Sequence, residues 1–299
     1  MIDAKLVTLL KVNELHNFTR AAEQLSLTQP AVSQHIRQLE RELGVKLFNR
    51  SDSELKLTAE GETVVLYAKR ICSLYENLTE KLSDEKKSAT KLTVGITHTA
   101  ESNIVAEVLA KYCRENDGLC IKIITDSINN LYDKLNSYEL DLAIVEGPVT
   151  DAKYNSLLLD TDSLVLAVSN NNPLAKKSMV TINEIKKERM ILRLPNSGTR
   201  NLFMAHIESR NMTMDEFNII MEVDNIATIK DLIRRDFGVS ILAKSACLDE
   251  LKKKKITVLP VENLSMIREI NVVYHRDFEH IEILRDFTKM YNDTMKLYR

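Results

Sequence analysis

Glycine is scarce in this chain, with seven in 299 residues, at positions 44, 61, 95, 118, 147, 198 and 238. A chain so sparing of glycine uses each where backbone geometry or close approach demands it. Cysteine is scarcer still. The four, Cys72, Cys113, Cys120 and Cys247, form no CxxC pair and have no histidine at metal spacing. That pattern speaks against a zinc site or a disulfide framework and for incidental, reduced thiols. No apolar run is long enough to cross a bilayer. The opening MIDAKLVTLLKVNELHNF carries polar residues at helical intervals and no cleavage-site pattern, so a cytoplasmic location is expected, with no membrane partner. GxSxG, the phosphate-binding P-loop, a Cys/His nucleophile pattern and a metal-ligand cluster are also missing. The sequence therefore assigns no catalytic residue, no metal and no cofactor, and an enzyme is not expected. Nor is there an excess of charge. The net charge is −2, and residues 1–61 hold eight basic and eight acidic side chains. Any case for a nucleic-acid partner must rest on how the charges are arranged.

The length allows two or three domains and a sizeable core. In NFTRAAEQL the residues Phe18, Ala22 and Leu25 fall four and three apart and share a helical face. Thr19 is placed to cap this helix, and Ala21 and Ala22 are small enough for a second helix to cross closely. SLTQ then gives a tight turn, with Leu27 expected to point inward. Thr28 caps a second helix, and Pro30 sits in its first turn, where a missing N–H costs nothing. Val32, Ile36, Leu39 and Leu43 form its buried stripe, and Gly44 ends it. Two short helices about a tight turn make a helix-turn-helix. The head of the second helix then offers Gln29, Ser33, Gln34 and Arg37 outward, with His35 and Arg41 at the flanks. Amides and hydroxyls read base edges, and arginine takes phosphate or guanine. The runs Val45–Phe48 and Leu55–Leu57 follow as a small hairpin. There Arg50 and Lys56 are candidates for backbone phosphate.

FTRAAEQLSLTQPAVSQHIRQLERELGVKLFNR, followed by LKLTAEG, resembles the winged helix-turn-helix of the LysR-type transcriptional regulators. The Phe-x-x-Ala-Ala, Gln-Pro-Ala-Val-Ser, Leu-Glu-x-x-Leu-Gly-x-x-Leu-Phe-x-Arg and Leu-Thr-x-x-Gly elements stand at the family's spacing. The chain departs from the family at Gln34 and Ser53, where arginines are common, which implies fewer phosphate contacts, with either a lower affinity or one carried by Lys56. The resemblance implies a transcription factor that binds double-stranded promoter DNA through Thr28, Gln29, Pro30, Ser33, Gln34, Arg37, Arg50 and Lys56. RNA polymerase is a further implied partner.

From Glu62 to Ser83, Val64, Ala68, Ile71, Tyr75, Leu78 and Leu82 repeat at four and three, a heptad seam. In the family this is the linker helix that pairs two DNA-binding domains, so a homodimer, and a homotetramer once effector domains pair, is implied. SDEKKSAT reads as a hinge.

Past Lys91 short β-rich runs alternate with helical ones: KLTVGIT, CIKIITD and DLAIVEG, then SLVLAVS, RMILRLP, FNIIMEVD, VSILA, ITVLPV and REINVVYH. The pattern predicts two α/β units with a mostly parallel sheet. Two crossovers suggest the two-lobed type 2 periplasmic-binding-protein fold, the effector domain of LysR-type regulators. The class is thus α/β, with a winged helix-turn-helix at 1–60, a linker helix and hinge at 61–90, and an effector domain at 91–299. Lobe I takes about 91–161 and 267–299, and lobe II about 162–266. Ligands bind at the carboxyl ends of strands in such sheets. Thr97 and Thr99, Ser127, Glu146 and Gly147, and Ser197, Gly198 and Thr199 hold that address. A Ser-Gly-Thr helix head suits carboxylate, sulfate or phosphate, so a small-molecule effector, an anion before a cation, is expected. DLAIVEGPV, ILR with SGTR, and GVSIL most resemble the branch of regulators of sulfur assimilation and carbon fixation. There Ile-Gly usually follows the second loop threonine, where this chain has Ala100 and Glu101. A transport protein using the same cleft is the competing reading. The winged helix argues against it.

Overall fold

The computed structural model describes residues 2–51, 54–84, 90–195 and 197–298. Its contacts divide the chain into two compact units, Met1–Thr90 with Asp133–Glu139, and Lys91–Tyr132 with Leu140–Arg299. Ser53 and most of the expected hinge, residues 85–89, lie outside the described residues.

The first unit opens with three helices, α1 (Ala4–Leu15), α2 (Phe18–Leu25) and α3 (Gln29–Leu43). Asn17, rather than Thr19, caps α2: its side chain accepts from the Arg20 N–H, and Thr19 falls inside the helix. An amide at the capping position reaches the free N–H groups that a hydroxyl already inside the helix cannot. Ser26, in left-handed geometry at φ 54°, closes α2, and Thr28 caps α3. Val32, Ile36 and Leu39 are buried against Leu9, Val12, Ala21, Ala22 and Leu47. Leu43 and Leu27 are 48% and 39% exposed, so the stripe stops at Leu39 and the turn leucine faces outward.

The wing is β1 (Phe48–Ser51) paired antiparallel with β2 (Glu54–Leu57). Its first strand starts at Phe48, later than the Val45–Phe48 run predicts. Residues 45–47 are instead held by α3, because the Glu40 carboxylate accepts the Leu47 N–H at 3.0 Å. The Leu-Thr-x-x-Gly element then has a physical reading. The Thr58 N–H donates to the Leu47 carbonyl at 3.0 Å, and its hydroxyl accepts the Gly61 N–H at 2.9 Å, starting α4 (Ala59–Asp84).

From Thr90 the chain runs β3 (Thr90–Thr97), α5 (His98–Glu101), α6 (Val105–Glu115), β4 (Leu119–Asp126), α7 (Ile128–Asn136, whose last turn belongs to the first unit), β5 (Leu142–Glu146), β6 (Tyr154–Ser169) and α8 (Ile182–Ile185). It continues with β7 (Met190–Arg193), α9 (Gly198–Glu208), β8 (Ile219–Val223), α10 (Ile226–Arg234), β9 (Ser240–Ala243), α11 (Leu248–Lys252), β10 (Ile256–Leu259), β11 (Ile267–His275) and α12 (Ile281–Met295). Separate apolar cores mark two lobes. One gathers Val94, Ile96, Val108, Ile144, Val272, Phe287 and Tyr291; the other gathers Leu166, Ile185, Met190, Phe203, Ile207 and Ile241.

The sheet is mixed, where the sequence predicts mostly parallel. β3 pairs β5 and β7 pairs β8 in parallel, but β11 pairs antiparallel with both β5 and β6, and β6 pairs antiparallel with β9 and β10. The cause is that the chain crosses between lobes on strands. The 16-residue β6 serves both sheets. Through Ser163 it pairs with β11, and from Leu164 onward with β9 and β10. The returning β11 inserts between β5 and β6, antiparallel to both.

Candidate functional site

The head of α3 projects polar groups from a buried base. The Thr28 hydroxyl accepts the Ala31 N–H at 3.3 Å. Gln29, Pro30, Gln34 and Arg37 are exposed, and Ser33 is half-buried. The Gln29 amide donates to the Ser33 hydroxyl at 3.0 Å, so two candidate base readers are oriented by each other. His35 turns inward and shares a 2.8 Å hydrogen bond with Thr8, which makes it a tie between α1 and α3. The Arg41 Nε donates to the Arg37 carbonyl at 3.3 Å and leaves the Arg37 guanidinium outward. Lys56 is exposed on β2. Arg50 stands in β1, but its side chain lies outside the described residues.

The α4 seam divides. Val64 packs against the core of its own unit and Ala68 is buried. Ile71, Tyr75, Leu78 and Leu82 are 38–57% exposed, and Tyr67 and Leu74 join them on the open face.

Within the second unit, the strand-end residues gather where the two lobes meet. Thr97 caps α5, accepting the Ala100 N–H at 3.1 Å, and donates to Glu146 Oε1 at 2.7 Å. Both residues are buried, as is Thr99 beside them. Gly147, at φ 99°, turns the chain after β5; its carbonyl accepts from the Asn271 amide at 3.0 Å. Across from these, Ser197 caps α9 by accepting the Arg200 N–H at 3.2 Å. A Cβ on Gly198 would stand 3.3 Å from Ile128 Cδ1, at the start of α7, and 3.7 Å from Arg268 Nη1. Ser127 opens α7, its hydroxyl accepting the Asn130 N–H at 3.3 Å. The α9 head and the α7 head therefore come together. Glu101, more than half exposed and 3.9 Å from His98, points away.

Sequence reasoning misses three arginines here. Arg193 ends β7, with a guanidinium 3.2 Å from Asp224. Arg200, in the first turn of α9, donates to the Arg193 carbonyl at 3.1 Å and to Glu222 at 2.6 Å. Arg268, on β11, reaches the Thr199 hydroxyl at 3.5 Å and lies 3.7 Å from Asp162. Burial pulls the Arg193 guanidinium below its ordinary pKa; Asp224 and Glu146 oppose that, and the nearby Arg268 adds to it. The one signal available for Arg193 is its place at a strand's carboxyl end, where ligands bind. Arg268 carries no such signal. Among the described residues no group of three His, Cys, Asp or Glu is placed to hold a metal, and no helix is long and apolar enough to cross a membrane.

The sequence matches the family model of the LysR substrate binding domain over residues 85–296 and that of the bacterial regulatory helix-turn-helix protein, lysR family, over residues 4–62. It is 30% identical over 270 residues to a "Probable RuBisCO transcriptional regulator" of Thalassiosira pseudonana, covering 87% of each chain. It is 25% identical over 276 residues to the HTH-type transcriptional regulator CysL of Bacillus subtilis, covering 90% of this chain and 89% of the other. Among solved structures, full-length CbnR bound to its target DNA superposes with a TM-score of 0.66 at 16% identity, covering 97% of this chain and 98% of that one. A full-length OxyR variant of Pseudomonas aeruginosa gives 0.64 at 21% identity, covering 96% and 93%.

Proposed function

The chain belongs to the LysR family of transcriptional regulators, and we propose that its α3 head reads a promoter site whose occupancy a small molecule in the lobe junction controls. It is a DNA-binding regulator with a C-terminal effector domain and not an enzyme. The supporting observation for the reading head is the outward row Gln29, Gln34 and Arg37, locked to a buried base at Val32 and Ile36. In our reading Gln29, Ser33 and Gln34 face base edges in the major groove, with Thr28 and Pro30 fixing the helix head. Arg37, Arg50 and Lys56 face phosphates.

The open stripe of α4 pairs two chains, and pairing of effector domains makes a tetramer. A two-fold pair presents two α3 heads to successive major grooves, so the operator is pseudo-palindromic. The effector lies against Thr97, Thr99, Ser127, Glu146, Gly147 and the Ser197-Gly198-Thr199 head, and is an anion before a cation. Relatives named for RuBisCO regulation support a place near the carbon-fixation branch. The protein works in the cytoplasm, with RNA polymerase as the partner it recruits or blocks.

Selection of bound DNA from random sequence, with and without candidate metabolites, tests the proposal. It expects one enriched inverted repeat whose affinity changes with a metabolite. No enrichment, or enrichment without symmetry, would overturn it.

A further inference from the structure

We propose that Arg193 and Arg268 are the specificity-determining residues of the lobe junction, and that they select a small oxyanion, a carboxylate or phosphoryl group with two or more acceptor oxygens. This rests on the reading of that junction as the effector site and names the class of molecule it takes. The two side chains are 3% and 6% exposed. Among the described residues, four buried guanidinium nitrogens have no hydrogen-bond partner: Arg193 Nε, Arg200 Nε, and Arg268 Nε and Nη2. Buried donors without acceptors are costly, and they are seldom clustered.

The nearby carboxylates do not fill the need. Asp162 already accepts from the Ser163 N–H at 2.9 Å, the Ser245 N–H at 3.1 Å and the Ser245 hydroxyl at 2.7 Å. At 3.7 Å from Arg268 it balances charge without accepting a hydrogen bond. Glu146 accepts from Thr97. Asp224 serves Arg193 through one nitrogen and is itself 55% exposed. The junction is thus close to charge balance but rich in donors. What it lacks is acceptor oxygens.

A cation would add donors where donors are already in excess. A neutral hydroxyl or amide brings one acceptor at a time. A carboxylate or phosphoryl group brings two or three in the geometry a guanidinium fork matches. The α9 head adds its first N–H groups, and Gly198, lacking a side chain, keeps that approach open. Position gives the contact a consequence. Arg268 is paired in register with Asp162, one residue before β6 passes from one sheet to the other, whereas Arg193 belongs to the second lobe. An oxyanion held by both ties the crossover strand to that lobe and favours one lobe arrangement over others.

The test uses the full chain, with calorimetry and thermal shift against inorganic phosphate, sulfate and malonate, and glycerol as the neutral control. At least one anion should bind saturably and glycerol should not; malonate against phosphate separates the carboxylate source from the phosphoryl one. Arg193→Gln and Arg268→Gln should each weaken binding about tenfold or more. Arg268→Lys, which keeps the charge and loses the fork, should fall between. Should Arg268→Gln fail to fold beside Asp162, Arg193→Gln carries the test, since its partner Asp224 is open to solvent. Wild-type affinity in the glutamine variants, or no binding of any of the three anions by wild type, overturns the proposal. Operator affinity, read in parallel, separates the two claims. A neutral metabolite that shifts operator affinity while anions do not bind leaves the effector reading standing and removes the oxyanion. Anion binding that depends on the arginines, with operator affinity fixed under every metabolite, does the reverse.

Discussion

A methyl group added at Gly61 would stand 2.1 Å from the Leu47 carbonyl oxygen and 3.0 Å from its carbon. Both are backbone atoms, held by the Thr58 N–H, so neither can yield without opening the joint between wing and α4. Gly61→Ala should therefore destabilise the first unit by about 3 kcal/mol or more. Gly44, at φ 70° with nothing within 4 Å, suffers only the left-handed penalty, and Gly44→Ala should cost about 1–2 kcal/mol. Hydrogen exchange across residues 4–62 under increasing urea measures both; equal costs would mean that space at Gly61 does not matter. The thiols differ as sharply. Cys247 is buried and its pKa is pushed up to about 12 by desolvation, while Cys120 is exposed. A raised thiol pKa favours the neutral, unreactive form, so at pH 8 alkylation of the native chain should label Cys120 and spare Cys247, as mass spectrometry of peptides would show. The scarcity of glycine makes Gly61 legible in the sequence. Arg268 is not legible, because a charged residue within a strand reads as a solvent-facing position, and Arg193 is marked only by its place at a strand's end. Only the fold brings Asp162, Thr199 and Arg268 together.

The helices of the first unit are where sequence and structure agree most closely, since caps and stripes are local. Thr28, Pro30 and Gly44 bound α3 as their chemistry requires. The long β6 is harder to read: its first half, YNSLLLDTDS, has no clean alternation because it pairs with β11 while its second half serves the other lobe. Two predictions belong to this scale. Gln29→Ala removes a base-reading amide and releases Ser33, so it should cost roughly 1–3 kcal/mol at one position of each half-site and relax preference there, as selection of bound DNA would show. Unchanged preference would remove Gln29 from the reading set. On α4, Ile71 is 46% exposed whereas Ala68 is 1% exposed. Ile71→Asp should thus halve the oligomer and weaken operator binding while the unit stays folded, and Ala68→Asp should disturb the fold itself. Sedimentation and circular dichroism separate the two; an Ile71→Asp protein of unaltered mass would mean the stripe meets no second chain.

For the whole molecule the governing constraint is linkage. A ligand changes operator affinity only through a difference in its own affinity for two states of the protein. The coupling is reciprocal: if ligand changes operator affinity by some factor, operator must change ligand affinity by that same factor. A tenfold change corresponds to roughly 1.4 kcal/mol, within what a few charge-assisted hydrogen bonds supply. Thr99 gives a way to test this without disturbing the arginines. It is buried beside the Thr97–Glu146 pair, and Thr99→Val keeps its shape while removing the hydroxyl. The variant should bind operator like wild type when unliganded and respond less when ligand is added. The measurement is a square: operator anisotropy with and without ligand, and ligand calorimetry with and without saturating operator, for wild type and Thr99→Val. The two factors should agree within each protein, and both should move toward one in the variant. A variant that loses unliganded operator binding would place Thr99 in the fold rather than the effector response. Factors that disagree within the wild type would mean that the ligand also acts at a second place, outside the lobe junction.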